Sequence, residues 1–269
     1  MRLATRPADT INTRIWLEEP EPDNVFATRT ARCHGYDVYG EMLGRAGWAE
    51  MIFLLFRGEA PTSAQARLLE AVAVALANAG PRDPAVHAAM CGGVGGSTAA
   101  ASLIAALSVG AGRYGGAHEV FDAMTAWGTS GTDLATWSIR ATADSSNAAD
   151  IWPAIEHVPG FDPHGVSTPT VVRQLLDKLA AIGATPSLTW LAGHRQDLEA
   201  MVGLPLAISG VAAAALRDLG FTPEEGEMLY LLLRLPGAAA HTLEQQHYGH
   251  KKFPFFAIDL ENAPSKESA

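Results

Sequence analysis

The chain has 269 residues, 48% of them hydrophobic, and a formal net charge of −10. This length can bury one large core or two smaller ones, and the acidic balance argues against a nucleic-acid partner, because phosphate binding requires a basic surface. The two cysteines, Cys33 and Cys91, cannot form a disulfide framework. No apolar run is long enough to span a bilayer, and residues 1–20 lack a signal-peptide pattern. We therefore expect a soluble, cytoplasmic protein with no membrane partner.

Apolar residues recur at helical spacing along most of the chain, and alanine and leucine dominate them, which favours helices over strands. The first thirty residues are rich in Pro, Asp, Glu, Thr and Arg and are predicted to form an extended arm. Beyond them, helices are predicted over residues 48–56, 61–80, 83–90, 97–109, 118–127, 133–141, 168–182, 188–201, 206–219, 223–233 and 238–246. No alternating run bounded by turns occurs, so β structure should be minor or absent. The predicted fold class is all-α.

The predicted helix over residues 97–109 has almost no polar side. A helix that is apolar all round must be buried, either in a core or against another subunit, so this segment predicts a homo-oligomer. The preceding glycines, from Gly92 to Gly96, suggest a phosphate cradle ahead of a helix N-terminus. The lysine and the preceding strand of a nucleotide-binding loop are missing. We therefore interpret these glycines as a flexible helix entry that permits close packing.

The most informative segment follows that helix and has the sequence Tyr114-Gly115-Gly116-Ala117-His118-Glu119. Two adjacent glycines let the backbone turn sharply and approach a ligand closely. A phenol lies just before the turn and an imidazole just after it. Both groups can donate hydrogen bonds, so the segment is a candidate for catalysis.

The order of motifs along the chain is more specific than any one of them. The ordered set is His34-Gly35-Tyr36-Asp37, Leu54-Leu55-Phe56-Arg57-Gly58, Ser97-Thr98, the turn at Tyr114, Pro159-Gly160-Phe161, Leu219-Gly220-Phe221, Pro236-Gly237, Ala240-His241 and Leu243-Glu244-Gln245. In this order and at these spacings, the motifs resemble the citrate synthase and citryl-CoA lyase family. The resemblance covers residues 23–255.

The resemblance implies an all-helical, two-domain protein that works as a homodimer, with the active site between the domains. Residues 1–118 and 215–269 would form the large domain, and residues 119–214 the small one. Members of the family join an acetyl-CoA-type thioester to a 2-oxo acid, or cleave the product, as acyltransferases or lyases. The chemistry combines general acid–base catalysis with stabilisation of an enolate-like intermediate. A coenzyme A thioester would be the substrate, with no tightly bound cofactor and no metal.

This chain departs from the family pattern at the positions that carry the chemistry. Tyr114 stands where the family has the histidine that polarises the thioester, and His118 replaces the asparagine of the same turn. His164 resembles a displaced version of the second catalytic histidine, and Thr170 stands where an arginine binds a substrate carboxylate. Ser209 is the best match to the catalytic aspartate. These changes imply that the acid partner is not oxaloacetate.

The resemblance gives four catalytic candidates: Tyr114 as the donor to the thioester oxygen, His164 and His118 as acid and base, and Ser209. The residues expected to contact substrate or coenzyme A are Gly115, Gly116, Phe161, Lys251 and Lys252. A hydroxyl cannot remove a carbon-bound proton without an activating base. Asp162 and Glu119 are therefore candidate replacement bases, and the alternative for both is a solvated surface or helix-capping position.

Purely structural explanations also fit these candidates. Tyr114 could be an aromatic plug beside a turn, Ser209 a small packing residue, and the two lysines a solvated basic tail. Two further functions stay open at this point. One is a hydrolase that uses the same cleft, with Ser209 or water as the nucleophile. The other is a non-catalytic scaffold that binds a metabolite.

Overall fold

The computed structural model describes residues 11–137, 157–254 and 256–258, and helices dominate these ranges. The helices are α1 Trp48–Arg57, α2 Ser63–Leu76, α3 Pro84–Val94, α4 Ala99–Gly110, α5 Ala117–Ser130, α6 Thr170–Ala180, α7 Pro186–Val202, α8 Ile208–Asp218 and α9 Pro223–Tyr248. The all-α prediction is confirmed. The helix predicted over residues 133–141 lies partly outside the described residues, and 134–137 are helical. No helix in the described ranges is long and apolar enough to cross a membrane.

The predicted extended arm folds into a small antiparallel sheet. Its strands are β1 Trp16–Pro20, β2 Thr28–Cys33 and β3 Tyr36–Asp37, in the spatial order β1-β2-β3. The register runs from Trp16 opposite Cys33 to Pro20 opposite Thr28, with an irregularity after Glu19. A one-turn π-helix, Val38–Met42, follows the last strand. The extended conformation was predicted correctly, but the pairing between strands was not.

Local capping signals fix where the helices begin. The Thr62 hydroxyl accepts from the Gln65 N–H, and the Gln65 side chain accepts from the Thr62 N–H in return, which satisfies two of the N–H groups that a helix start leaves free. Asp83 caps α3 in a similar way, with Pro84 at the first helical position. These signals are readable from sequence, and the helix starts predicted there are confirmed.

The chain divides into two compact units. The first extends to Asn78 and resumes from Gly110 to Arg234; the second contains Ala79–Val109 and the chain from Leu235 onward. The domain boundaries implied by the family resemblance, at residues 118/119 and 214/215, stay a prediction.

Helix α8 lies at the centre of the first unit. It packs against α2, α5, α6 and α7, and every residue from Ser209 to Leu216 is buried. Five of these residues are Val211 and the run of four alanines that follows it, so neighbouring helices can approach its axis closely. The largest side chains sealed in this core are Phe53, Leu69, Leu176, Leu188, Leu216 and Tyr230. A helix that is buried from Ser209 to Leu216 therefore carries Ser209 in its first turn.

The second unit has a small core. Its buried apolar residues are Val86, Ala89, Met90, Ala106 and Ala238. A Cβ added to Gly92 would meet the Ser102 hydroxyl at 2.5 Å, and one added to Gly93 would meet the Thr242 carbonyl at 2.3 Å. Close packing was thus predicted correctly, but the location was not, because both glycines lie inside α3 near its C-terminal end and not at a helix entry.

The apolar helix α4 is only partly covered in the single chain. Ser102 and Ala106 are buried, whereas Ile104 is 61% exposed and Val109 is 46% exposed. Of the two predicted explanations for its composition, burial in the core of the chain accounts for one side only. The other side remains apolar and open.

Helix α9 continues through Pro236, where the sequence predicted a break between residues 233 and 238. Proline removes one backbone donor and usually kinks or ends a helix. Here Leu229, Tyr230 and Leu233 are buried before it, and Ala238 is buried after it. Packing on both sides of the proline outweighs the lost hydrogen bond, so the two predicted helices are one.

Candidate active site

The Gly-Gly turn joins α4 to α5 and accepts only glycine at its two central positions. Gly115 has φ +70°, in the left-handed region that side chains disfavour. A Cβ on Gly116 would lie 2.2 Å from the Gly112 carbonyl oxygen. Because Gly116 immediately precedes α5, the turn sets the direction in which Tyr114 leaves the backbone.

Glu119, in the first turn of α5, is the group that organises this region. The residue is 2% exposed. Its carboxylate accepts three hydrogen bonds, from the Gly115 N–H, the Gly160 N–H (3.0 Å) and the Ser209 hydroxyl (2.8 Å). Three segments that are distant in sequence therefore meet at one buried carboxylate. Glu119 was predicted as a candidate base, and the alternative of a solvated surface position is wrong, since this side chain is buried and hydrogen-bonded.

The loop around Gly160 is held against the start of α8 by backbone contacts. Phe161 forms an isolated antiparallel bridge with Leu206, and the Ala207 N–H donates to the Gly160 carbonyl at 2.9 Å. A Cβ on Gly210 would lie 2.4 Å from that same carbonyl oxygen. Two glycines thus let the main chains of the loop and the helix touch, which brings Ser209 within reach of Glu119.

Tyr114 and His157 form a stacked pair at the edge of this arrangement. Their ring centroids are 5.7 Å apart with 28° between the planes. Tyr114 is 61% exposed, whereas His157 is 7% exposed, so the phenol covers the imidazole. His157 Nε2 lies 3.8 Å from Glu119 Oε1, and neither ring nitrogen has a hydrogen-bond partner in the described part of the chain. We call Tyr114, Gly115, Glu119, His157, Gly160 and Ser209 the Glu119 cluster.

Sequence analysis missed His157. It belongs to no motif, and the only signals for it were its residue type and its position three residues before Gly160. A lone histidine in a loop is ordinarily a surface residue. Its burial follows from the stacking of Tyr114, a contact across 43 residues that no local pattern encodes.

The two histidines that the sequence predicted to be catalytic, His118 and His164, are not part of the Glu119 cluster. His118 Nδ1 lies 3.1 Å from Glu227 Oε1, and its ring stacks on Phe121 at 5.3 Å. His164 is exposed, and its backbone N–H donates to the Asp162 carboxylate at 2.9 Å. Asp162 thereby caps its own loop. The structure joins Tyr114 and Ser209 to the Glu119 cluster. It pairs the His118 ring with Glu227 and Phe121 and leaves the His164 side chain exposed.

The predicted binding residues are also divided. Phe161 is buried, and Gly115 and Gly116 form the turn itself. Lys251 and Lys252 are exposed on a short 3-10 turn, His250–Lys252, of the second unit. The Lys252 ammonium lies 5.6 Å from the centre of the Tyr248 ring, a distance typical of a cation–π contact. Both lysines therefore carry their charge at the surface of that unit.

A further hydrogen bond, to the Gly115 carbonyl, also holds the Gly-Gly turn. The Arg234 guanidinium donates to the Gly115 carbonyl at 3.3 Å and lies 4.8 Å above the Tyr230 ring. Gly115 is thus held through its N–H by a carboxylate and through its carbonyl by a guanidinium. Such preorganisation suits a donor that must meet charge as it develops in a transition state.

Within the described ranges, no three His, Cys, Asp or Glu side chains lie close enough together to hold a metal ion. His241 Nδ1 lies 3.3 Å from Glu244 Oε2 in the second unit, which is a pair and not a ligand set. The groups available for chemistry at the Glu119 cluster are a phenol, an imidazole, a carboxylate and a hydroxyl. These can move protons and stabilise negative charge.

Comparison with known proteins finds likeness at the level of structure. No family model and no curated protein matches the sequence. Citryl-CoA lyase from Hydrogenobacter thermophilus matches with a TM-score of 0.67 and 20% identity, over 95% of this chain and 98% of that one. ATP citrate lyase from Methanothrix soehngenii, in complex with citrate and coenzyme A, matches with a TM-score of 0.70 and 18% identity, over 95% of this chain but only 43% of that one.

A citrate synthase also matches, more distantly. The enzyme from Thermoplasma acidophilum, in a ternary complex with carboxymethyl coenzyme A and oxaloacetate, aligns with a TM-score of 0.55 and 12% identity over 83% of this chain and 59% of that one. At these identities the likeness concerns the fold. The chain therefore has the fold of the citrate synthase and citryl-CoA lyase family, as the ordered motifs predicted.

Proposed function

We propose that this chain is an enzyme of the citrate synthase and citryl-CoA lyase type, which makes or cleaves a carbon–carbon bond next to a coenzyme A thioester. The observation that carries the proposal is the Glu119 cluster. The three segments that the family resemblance assigns to catalysis (the Gly-Gly turn, the loop at Gly160 and the start of α8) converge on this one carboxylate. A chain that had kept only the fold would have no need to hold these segments together.

The structural relatives support the same class of reaction. Citryl-CoA lyase has nearly the same length, since the match covers 98% of its chain. The two other relatives were determined with coenzyme A or a coenzyme A derivative and a small organic acid. We infer that this chain also takes a coenzyme A thioester and a small acid, without a tightly bound cofactor.

In the proposed mechanism, the Tyr114 phenol donates a hydrogen bond to the thioester oxygen as negative charge develops on it. Glu119 holds the backbone of the turn through Gly115, so the phenol is positioned before substrate arrives. His164 and His118 are the proposed acid and base groups that exchange protons with the substrate. Lys251 and Lys252 would contact the phosphates of coenzyme A.

The acid partner is proposed to differ from oxaloacetate. Gly92 and Gly93 stand where the family has a His-Glu pair, and Thr170 and Gln246 stand where it has arginines that bind carboxylates bidentately. A site with fewer cations favours an acid with fewer carboxylates. The test is isothermal calorimetry of acetyl-CoA, coenzyme A and a panel of 2-oxo acids. Binding of no coenzyme A species would overturn the proposed function.

The role of Tyr114 can be tested by Tyr114→Phe, which removes only the hydroxyl. We expect kcat to fall by about a hundredfold, the loss typical of one oxyanion donor, with unchanged thermal stability because the side chain is mostly exposed. Tyr39→Phe is the matched control, since Tyr39 is a similarly exposed tyrosine outside the cluster. Equal activity in the two variants would remove Tyr114 from the mechanism.

Ser209 separates this function from hydrolysis. Its side chain is buried and its hydroxyl donates to Glu119, so we propose that it positions the carboxylate and does not attack the substrate. Ser209→Ala should then keep measurable activity. An acyl adduct on Ser209, detected by mass spectrometry after incubation with acetyl-CoA, would favour the hydrolase instead.

We also propose that the protein is a homodimer that covers the open side of α4. Exposed apolar residues such as Ile104 and Val109 are what subunit interfaces bury. Ile104→Glu should convert the dimer to a monomer in light scattering after size exclusion. Val74→Glu, at another exposed apolar residue on α2, should leave it dimeric. A monomeric wild type would contradict the proposal.

A further inference from the structure

The contacts of His157 are those expected of a functional residue. Its side chain is 3% exposed, its ring lies against the Tyr114 ring, and Nε2 lies 3.8 Å from the Glu119 carboxylate. Both ring nitrogens lack a hydrogen-bond partner within the described ranges. A buried polar group left unpaired has a free-energy cost, and such groups concentrate at functional sites.

Other histidines of the same unit show what an imidazole with a structural role looks like. His194 stacks on Trp190 at 4.7 Å, and its Nδ1 is bonded to the Trp190 carbonyl at 2.9 Å. His118 likewise stacks on Phe121 and contacts a carboxylate through Nδ1. His157 shares the stacking, but within the described ranges it makes neither kind of hydrogen bond. In that part of the chain its ring is therefore held by burial and by the stack on Tyr114, and not by a hydrogen bond.

We propose that His157 is a positioning residue that acts through Tyr114, and that it is the imidazole coupled to the phenol at this site. The His157 ring lies against the Tyr114 ring and so fixes the position of the phenol. The inference rests on the proposed function, because it is the Tyr114 hydroxyl that would meet the thioester oxygen. It adds a third imidazole to His164 and His118, the proposed acid and base.

Among the described residues, Glu119 approaches His157 from α5, and Tyr114 covers it from the turn. Arg234, from α9, contacts the Gly115 carbonyl on the same turn. His157 thus lies between a carboxylate and a phenol, so replacing its imidazole should change the electronic environment of Tyr114.

The first test needs no substrate. The protein is labelled with 3-fluorotyrosine, and the ¹⁹F resonance of Tyr114 is identified by its loss in Tyr114→Phe. His157→Phe keeps an aromatic ring in the stack but removes both nitrogens, and at a fixed pH the Tyr114 resonance should move from its wild-type position.

His194→Phe is the matched control, because it makes the same substitution at a stacked histidine outside the cluster, and the Tyr114 resonance should keep its wild-type position in it. A Tyr114 resonance that His157→Phe leaves unmoved would overturn the proposal. If His157→Phe does not fold, as judged by circular dichroism, His157→Gln carries the test with the same expected change.

The second test uses turnover of the coenzyme A thioester. His157→Phe should lower kcat by about tenfold to a hundredfold, because a displacement of about 1 Å near the chemistry can cost about a hundredfold, while KM changes by less than about threefold, because His157 does not touch the substrate. A raised KM with unchanged kcat would overturn the positioning role. The two proposals can fail separately. If no coenzyme A species binds, the proposed function fails, and the ¹⁹F measurement still tests the coupling of His157 to Tyr114.

Discussion

Two glutamates of the first unit, Glu119 and Glu199, fasten loops next to α8 in different ways. The donors to Glu119 are all neutral: two backbone N–H groups and one hydroxyl. The donors to Glu199 include a cation, the Arg195 guanidinium, together with the Thr168 hydroxyl and the Leu206 N–H. The Glu199 carboxylate is thus paired with a cation. The Glu119 carboxylate instead has the His157 imidazole 3.8 Å away.

The difference supports assigning a structural role to one carboxylate and the proposed chemistry to the other. Glu199 has the features of a structural ion pair, in which charge, donors and partial contact with solvent are all matched. The hydrogen bonds to Glu119 come from neutral groups, and the neighbouring His157 lies under the exposed Tyr114 phenol. The arginine paired with Glu199 stabilises the fold, whereas the groups around Glu119 are those on which the proposed mechanism depends.

The largest expected effect distinguishes the two carboxylates by stability. Glu119→Leu leaves two buried donors, the Gly160 N–H and the Ser209 hydroxyl, without an acceptor, so the free energy of unfolding should fall by about 2–6 kcal/mol. Glu199→Leu should cost only about 1–2 kcal/mol, because the Leu206 N–H keeps the Thr168 hydroxyl as an acceptor at 3.0 Å and the arginine can turn to solvent. Urea unfolding of both variants measures the difference. Equal losses would abolish the distinction.

The second prediction concerns the close approach that brings Ser209 to Glu119. Gly210→Ala would place a methyl 2.4 Å from the Gly160 carbonyl oxygen, so we expect a loss of about 1–3 kcal/mol from overpacking. The matched control is Gly193→Ala in α7, where nothing lies within 4 Å and the helix should gain about 0.5–1 kcal/mol. Thermal unfolding of the two variants tests this prediction. A stabilising Gly210→Ala would contradict the close packing of Gly210 against Gly160.

The third prediction follows from the pKa of Glu199. Burial raises this pKa, but hydrogen bonds from Thr168, Arg195 and Leu206 outweigh burial and hold it below its usual range. A pKa lower in the folded state stabilises the protein above the unfolded value, about 4.3 for Glu, and the gain is lost as pH falls through the folded value. Glu199→Gln should therefore be less stable than wild type near neutral pH and approach it in acid. Urea unfolding across this range is the measurement.

The fourth and smallest predicted effect is a pH dependence of stability at Asp218, opposite in sign to that at Glu199. Burial raises the pKa of Asp218, although the N–H groups of Leu188 and Ser187 donate to it and lower the pKa in part. A raised pKa favours the folded state at low pH, and this contribution is lost as pH rises through the folded value. Asp218→Asn should thus improve relative to wild type between acid and neutral pH. A parallel pH profile for Asp218→Asn and Glu199→Gln would contradict both assignments.

The sequence predicted the helices well because their signals are local. Capping at Thr62 and Asp83 and the alanine-rich run of α8 each lie within a few residues. Strand β1 was missed because its residues are mostly exposed, so the alternation that marks a half-buried strand is weak. In β2 only Ala31 and Cys33 are buried, which is too short an alternation to predict a strand. Pro236 was predicted to interrupt the helix because helix propensity does not include the packing of buried residues before and after the proline.

The site was predictable only as separate motifs. The Gly-Gly turn and Ser209 were found from their positions in an ordered set, and Glu119 was noted as a candidate base. Their meeting at one carboxylate was not found, since Glu119 is 41 residues from Gly160 and 90 from Ser209. Contacts of that sequence separation depend on how helices pack, and His157 became visible only once that packing was known.

The donors to Glu119 also bear on how this scaffold tolerates change. Two of the three are main-chain N–H groups, which every amino acid except proline supplies. The anchor of the turn therefore depends on the path of the backbone and hardly on the chemical identity of the surrounding side chains. A lineage can exchange a histidine for a tyrosine, or an aspartate for a serine, and still inherit a turn aimed in the same direction.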